Sequence, residues 1–175
     1  MKPNNISKSA PPGAPERRIF GAKPDRTDRA ILGALQRDAG LSNKELARKI
    51  RLAPSSCLQR VRRLKSSGVI RGLHADVSPP ALGIGLEAIV AVRLTQHLEK
   101  EVEAFRHRLR SHPEVINVYH VSGGVDFFVH VAVRDVAHLR TLGIEAFTSH
   151  RLVSLVETSI IFDHERSKAL PDLLP

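Results

Sequence analysis

Basic and polar side chains concentrate in residues 41–71, at spacings that suit contact with nucleic acid. The stretch holds nine lysines and arginines against one acid, Glu45. Guanidinium and ammonium groups bind phosphate, arginine also pairs with guanine, and glutamine pairs with adenine. The side chains that we predict to contact DNA are Lys44, Arg48, Ser55, Ser56, Gln59, Arg60, Arg62, Arg63 and Lys65.

The apolar periodicity of this stretch predicts two short helices with a tight connection, which is the requirement for a helix-turn-helix DNA reader. Ser42 and Glu45 have the spacing of a capping box, Pro54 suits the first turn of the second helix, and Gly68 suits its end. The inward positions of the second helix are Cys57, Val61 and Leu64.

That register divides the polar side chains into two groups. The side chains that share an outer face and would read bases are Ser56, Gln59, Arg60 and Arg63. The side chains that flank them and suit phosphate are Lys44, Arg48, Arg62 and Lys65. The competing interpretation is a solvated basic face, which the density of like charge around a two-helix unit disfavours.

Charge is partitioned along the chain. The net charge is +9, of which residues 41–71 contribute +8, whereas residues 72–175 contribute −3. This division predicts a basic module that holds a polyanion and a mildly acidic module with another task. Residues 1–24 hold five bases, one acid and the run PPGAP, which predicts a disordered tail.

The second half of the chain predicts strands and helices in the order β-α-β-β-α-β, within about 80 residues. Strands are expected at 86–94, 115–121, 127–133 and 152–162, with helices around 98–109 and from Asp135 onward. This is the ferredoxin-like arrangement, so the fold class is α+β. Apolar residues occur on both alternations of several strands, which predicts that the open face of the sheet is buried against another subunit.

Composition excludes several other classes of protein. One cysteine, Cys57, forms no internal disulfide framework and suits a reducing cytoplasm, and we interpret it as a buried apolar residue. We find no membrane-spanning run and no secretory leader near Met1. The nine histidines form no metal-binding motif, and no catalytic triad or nucleotide-binding loop is present, so we expect neither a metal nor a cofactor.

The chain resembles the Lrp/AsnC family of transcription regulators from residue 25 to about 162. The resemblance rests on DRTDRAIL at 25–32, LSNKELA at 41–47, LAPSSCLQRVRRLKSSGVIRG at 52–72, VSGGVDFFVHV at 121–131 and ETSII at 157–161. It implies a non-enzymatic, nucleoid-associated regulator that binds double-stranded DNA, responds to a small effector, usually an amino acid, and assembles as a dimer and often as an octamer.

The resemblance also implies a division into segments. These are a disordered basic tail at 1–24, a winged helix-turn-helix domain at 25–72, a hinge strand or linker at 73–83, a ferredoxin-like effector-binding and oligomerisation domain at 84–163, and a C-terminal tail at 164–175. Carried onto this sequence, the family's effector site points to Ser122, Gly123, Gly124 and Asp126, together with Thr158 and Ser159.

The effector loop also has an interpretation on its own chemistry. Gly123 and Gly124 would expose backbone N–H groups to a carboxylate, and Asp126 would accept from an α-ammonium. The alternative is a plain hairpin turn capped by Asp126. Two departures from the family pattern bear on function: Arg51 replaces a frequent glycine in the helix-turn-helix turn, and Leu155-Val156 replaces a common Arg-Thr pair.

Two other functions remain open from sequence. One is an architectural DNA-binding protein of the same fold that has no effector. The other is an enzyme, since some tetrapyrrole decarboxylases resemble this family's fold. The basic second helix argues against the enzyme.

Overall fold

A computed structural model describes residues 23–174, which divide into two compact units. The first unit contains the described residues up to Ala75 together with those from Ser167 onward, and the second is Asp76–Arg166. The predicted disordered tail at 1–24 lies, except for its last two residues, outside the described part of the chain.

The first unit is a bundle of three helices, α1 (Arg26–Arg37), α2 (Asn43–Lys49) and α3 (Pro54–Ser66). Their apolar faces meet in one small core, formed by Ile31, Ala34, Leu35, Leu46, Ala47, Cys57 and Leu64. Burial raises the pKa of the Cys57 thiol, so the thiol stays protonated within this core, as expected for an apolar packing residue.

Local signals define the ends of these helices. The capping box predicted at α2 is confirmed: the Ser42 N–H donates to Glu45 Oε2 at 2.9 Å, and the Glu45 N–H donates to Ser42 Oγ at 3.3 Å. Gly68 follows α3 with φ of 75°, a left-handed conformation that glycine adopts without strain.

The sequence missed a second capping box, at α1. The Asp28 N–H donates to Asp25 Oδ1 at 2.8 Å, and the Asp25 N–H donates to Asp28 Oδ2 at 3.1 Å, so α1 begins at Arg26. The helix ends at Arg37 with Asp38 as its C-cap.

The segment that was predicted as a hinge strand or linker contains no strand. Residues 71–78 form neither helix nor strand, and Pro79–Leu82 form a 3-10 turn. The predicted hinge at 73–83 is therefore a linker within this chain, because a strand needs a pairing partner and no described segment supplies one.

The end of the chain is also more ordered than a free tail. The Leu170 N–H donates to Gln36 Oε1 at 2.8 Å, and Arg29 donates to the Leu174 carbonyl at 3.0 Å. Residues of the predicted tail at 164–175 thus contact the outer side of α1.

The second unit has the predicted βαββαβ order. Its strands are β1 (Leu86–Leu94), β2 (Val115–His120), β3 (Phe127–Val133) and β4 (Val153–Ile160). Its helices are α4 (Glu99–Arg110) and α5 (Val136–Leu142), which continues into a π-helical turn at Gly143–Thr148. The strands pair antiparallel in the order β2-β3-β1-β4, which confirms the ferredoxin-like fold.

One face of the sheet packs on the helices. Val90 and Val129 alternate inward and meet Phe105 and Phe147, all fully buried. The opposite face carries apolar side chains that remain partly exposed within this chain, among them Tyr119, Phe128 and Leu155.

Candidate nucleic-acid interface and effector loop

The connection between α2 and α3 is held by backbone geometry and one side chain. Arg51 has φ of 57°, and the Leu52 N–H donates to the Ala47 carbonyl at 2.9 Å, which closes α2 with a left-handed cap. The Asn43 amide donates to the Pro54 carbonyl at 2.9 Å, so the start of α2 contacts the first turn of α3. The two helices are thereby fixed at a tight turn.

The exposed face of α3 differs from the face expected from sequence. Ser55, Gln59 and Arg62 are exposed, and their i, i+4, i+7 spacing puts them on the side opposite Cys57 and Leu64. Arg62 therefore lies at the centre of the exposed face rather than at its flank. We name Ser55, Gln59 and Arg62 the recognition face.

The remaining predicted DNA contacts surround this face. Ser56, Arg63 and Lys65 are also exposed on α3, and Lys44 and Arg48 are exposed on α2.

Arg60 and Arg63 already have partners inside the protein. Arg60 Nη1 donates to Asp25 Oδ2 at 2.6 Å and to Asp28 Oδ1 at 2.9 Å, and Arg63 Nη2 donates to Asp28 Oδ2 at 2.5 Å. The Arg60 hydrogen bond is the main cause that lowers the pKa of Asp25, and Asp25 is in turn the main cause that raises the pKa of Arg60. These two arginines therefore tie α3 to α1.

The sequence reasoning did not single out Asp25 or Asp28 as functional. The D-x-x-D spacing before an apolar run is a recognisable capping signal. The arginines that meet these carboxylates lie 32 to 35 positions further along the chain, at a distance that helical periodicity does not reach.

The candidate effector loop joins β2 to β3. Ser122, Gly123 and Gly124 are exposed, and Gly123 has φ of 123°. A methyl group built on Gly123 would meet no atom within 4 Å, so the space beside the loop is open. The backbone of this loop is thus accessible to a small molecule.

Asp126 serves as an anchor at the base of this loop. Its Oδ2 accepts from the Leu94 N–H at 2.7 Å, and its Oδ1 lies 2.8 Å from His97 Nε2. Arg93 donates through Nε to the Gly124 carbonyl at 2.5 Å. Arg93 and His97 were not predicted, because the end of β1 reaches the loop only through strand pairing.

The structure does not bring Thr158 and Ser159 to this loop within one chain. They lie on β4, where they pair with Val90 and Ile89 of β1. Strand β1 separates β4 from β3 and from the loop that precedes it.

The described residues 23–174 also bear on metal binding and membrane insertion. They contain no group of three or more histidine, cysteine, aspartate or glutamate side chains arranged to hold a metal ion. None of the helices in this range is long and apolar enough to span a bilayer.

Comparison with known proteins assigns both units to families. A model described as "Winged helix-turn-helix DNA-binding" matches residues 24–71, and one described as "Lrp/AsnC ligand binding domain" matches residues 87–169. The chain is 41% identical over 155 residues to the HTH-type transcriptional regulator AldR of Mycolicibacterium smegmatis, covering 89% of this chain and 90% of that protein.

Two further relatives agree. The leucine-responsive regulatory protein of Rhizobium meliloti is 35% identical over 136 residues, which cover 78% of this chain and 87% of that one. A crystal structure of a transcriptional regulator from Neisseria meningitidis in complex with L-Met superposes with a TM-score of 0.78 at 28% identity, covering 84% of this chain and 96% of that chain. This chain belongs to the Lrp/AsnC family of DNA-binding transcription regulators, with a helix-turn-helix unit followed by a ligand-binding unit.

Proposed function

We propose that the chain regulates transcription by placing α3 in the major groove of double-stranded DNA, with the recognition face toward the base edges. The observation that carries the proposal is an exposed row of Ser55, Gln59 and Arg62 on a helix whose other side is buried and whose start is bonded to α2. Gln59 suits adenine and Arg62 suits guanine.

Phosphate contacts would come from the edges of this face. Lys44 and Arg48 on α2, together with Lys65 on α3, are exposed and flank the recognition face. The residue before α3 is Ala53, which has no side-chain cap, so the first-turn N–H groups at Ser55 and Ser56 suit a phosphate oxygen. Arg60 and Arg63 would reach DNA only by leaving their carboxylates.

The ligand of the second unit is, in our proposal, a free amino acid bound at the loop of Ser122, Gly123 and Gly124. Asp126 would accept from the α-ammonium once the exposed His97 ring moves away. Loop N–H groups, or the Arg93 guanidinium, would meet the carboxylate. The leucine-responsive relatives and the L-Met complex support an amino acid as the class of ligand.

Thr158 and Ser159 would contribute only across a subunit contact, since β1 separates them from the loop within one chain. We propose at least a dimer, formed through the open sheet face, and assembly of dimers into an octamer. The chain would act at the nucleoid in the cytoplasm, by binding rather than by catalysis, as expected from relatives that are transcriptional regulators.

Selection of DNA fragments from a random library tests the DNA-binding role and yields an operator. Affinity for the operator and for random DNA is then measured for Gln59→Ala and Arg62→Ala, with Lys44→Ala as the phosphate-contact control. The recognition-face variants should lose about 1–3 kcal/mol on the operator alone, whereas Lys44→Ala should weaken binding to both DNAs. Equal losses on both DNAs for the two recognition-face variants would reject base reading.

A thermal-shift screen of the twenty amino acids tests the effector. A ligand that binds only the folded state raises the melting temperature by mass action. A ligand that also changes DNA affinity identifies an effector-responsive regulator. If no amino acid alters melting, assembly or DNA affinity, the chain is an architectural DNA-binding protein without an effector of this class.

A further inference from the structure

Asp28 has a special place in the helical unit. Its side chain is only 2% exposed. Among residues 23–174, it is the only charged residue that is buried. Both carboxylate oxygens are occupied: Oδ1 accepts from Arg60, and Oδ2 accepts from Arg63 and from the Asp25 N–H. Buried carboxylates require such partners.

These contacts change the charge that α3 offers to DNA. The helix carries Arg60, Arg62, Arg63 and Lys65, and the carboxylates of Asp25 and Asp28 neutralise two of these four cations. Arg62 and Lys65 are therefore the cations of α3 that are not paired with these carboxylates. Arg60 is half-buried beside α1, whereas Arg63 keeps most of its side chain exposed.

These ion pairs bear on how well the protein would distinguish a specific DNA sequence from random DNA. Cations that meet phosphate strengthen binding to every sequence by releasing counterions, and they carry no sequence information. A guanidinium fixed on a carboxylate gives less of this non-specific affinity. The same ion pairs hold α3 against α1 and so determine which side of α3 is presented.

We propose that Asp28 is a positioning and specificity-determining residue: it holds Arg60 and Arg63 against α1, so that α3 meets DNA through Ser55, Gln59 and Arg62, and it limits phosphate affinity. This inference rests on the proposed DNA-binding function and deepens it. Asp28 acts through the two arginines and does not itself contact DNA.

The salt dependence of binding tests this role, because an altered fold alone would not change it in the expected direction. In Asp28→Asn, one or two released arginines should steepen the dependence of log affinity on log salt for random DNA by about 1 to 2. Affinity for random DNA should rise at low salt, and the ratio of operator to random affinity should fall several-fold. Adding Arg63→Gln to this variant should remove part of the extra slope, and Asp28→Glu, which keeps the charge, should stay near wild type.

A matched control separates released arginines from the simple loss of one negative charge. Asp38→Asn also removes a carboxylate from the end of α1, but the Asp38 carboxylate accepts from the Gly40 N–H at 2.9 Å rather than from an arginine of α3. For Asp38→Asn, the dependence of log affinity on log salt should remain that of wild type.

Circular dichroism checks that each variant is folded. If Asp28→Asn does not fold, Arg63→Gln in the wild-type protein replaces it, since Arg63 keeps most of its side chain exposed and is held by Asp28. The slope of Arg63→Gln for random DNA should stay that of wild type, and a slope shallower by about 1 would overturn the proposal. An unchanged slope in folded Asp28→Asn also overturns the proposal, as does an equal change in Asp38→Asn. If wild-type protein binds no DNA, the proposed function fails first, and that failure is distinguishable because it precedes any variant.

Discussion

At the scale of single residues, arginines of α3 differ in whether they form ion pairs within the protein. Arg62 projects from the exposed side of the helix, whereas Arg60 and Arg63 are bound to carboxylates of α1. The type of a side chain therefore does not determine its role at this surface. The free energy of leaving an internal partner decides whether an arginine can contact DNA.

Asp126, at the effector loop, likewise has hydrogen-bond partners within the protein. One of its oxygens accepts from the Leu94 N–H, and the other meets His97, whose side chain is mostly exposed. The first contact is structural, and in our proposal the second would be exchanged for a ligand. Replacement by alanine would remove both contacts together, so asparagine is the more informative substitution.

We predict that Asp126→Asn folds with nearly wild-type stability, because the amide oxygen can still accept from Leu94. It should weaken amino-acid binding by roughly 10- to 100-fold, because hydrogen bonds to charged groups contribute about 1.5–3 kcal/mol. Calorimetric titration with the amino acid found by the thermal-shift screen measures this change, and His97→Gln, which leaves the carboxylate in place, serves as the control. Unchanged affinity in Asp126→Asn would show that this carboxylate does not contact the ligand.

At the scale of elements, the turn between α2 and α3 has a backbone conformation that its residue does not favour. Among residues 23–174, Arg51 is the only residue other than glycine that has a positive φ. A left-handed conformation costs an L-residue about 1–2 kcal/mol, and glycine largely avoids this cost. Surrounding hydrogen bonds, such as Leu52 N–H to the Ala47 carbonyl, hold the strained turn in place.

We predict that Arg51→Gly raises the free energy of unfolding of the helical unit by about 0.5–1 kcal/mol. Relief of the strain exceeds the greater conformational entropy that glycine adds to the unfolded chain. Urea denaturation followed by circular dichroism measures the change. Arg51→Ala is the matched control, since it removes the guanidinium but keeps the strain, and it should not be stabilised. Equal stability of the two variants would mean that the turn is not strained.

At the scale of the whole molecule, one face of the sheet carries apolar side chains that remain partly exposed among the described residues 23–174. Phe128 and Leu155 are 38% and 39% exposed on it, beside the half-exposed Tyr119. Apolar residues grouped on one face of a sheet favour association with a second copy. Dimerisation would also bring two copies of α3 onto one DNA, which a palindromic operator would require.

We predict that Phe128→Glu dissociates the protein into monomers at micromolar concentration, because the substitution would bury an unpaired carboxylate in the contact. Multi-angle light scattering measures the mass. Val136→Glu is the control, since Val136 is also an exposed apolar residue but lies at the start of α5, on the helix side of the unit. A wild-type protein that is itself monomeric, or a Phe128→Glu variant with unchanged mass, would contradict this interface.

Most helices and strands could be predicted from the sequence, because the signals that form them are local. The Ser42–Glu45 capping box, Gly68 after α3, and the strands at Leu86–Leu94 and Phe127–Val133 depend on residues a few positions apart. Helical and strand periodicity also predicted the βαββαβ order, and composition gave the basic character of α2 and α3. The family was identified separately, from the resemblance of segments such as LSNKELA at 41–47.

Tertiary contacts, by contrast, set which of those side chains are available. Arg60 meets Asp25 across 35 positions, and Asp126 meets Leu94 across 32, so neither contact has a periodic signature in the sequence. The place of Arg62 opposite Cys57 and Leu64 follows from helical spacing within α3, whereas the strand order that puts β1 between the effector loop and Thr158 does not. Long-range contacts and strand order depend on how distant segments pack together, which residue spacing along the chain does not specify.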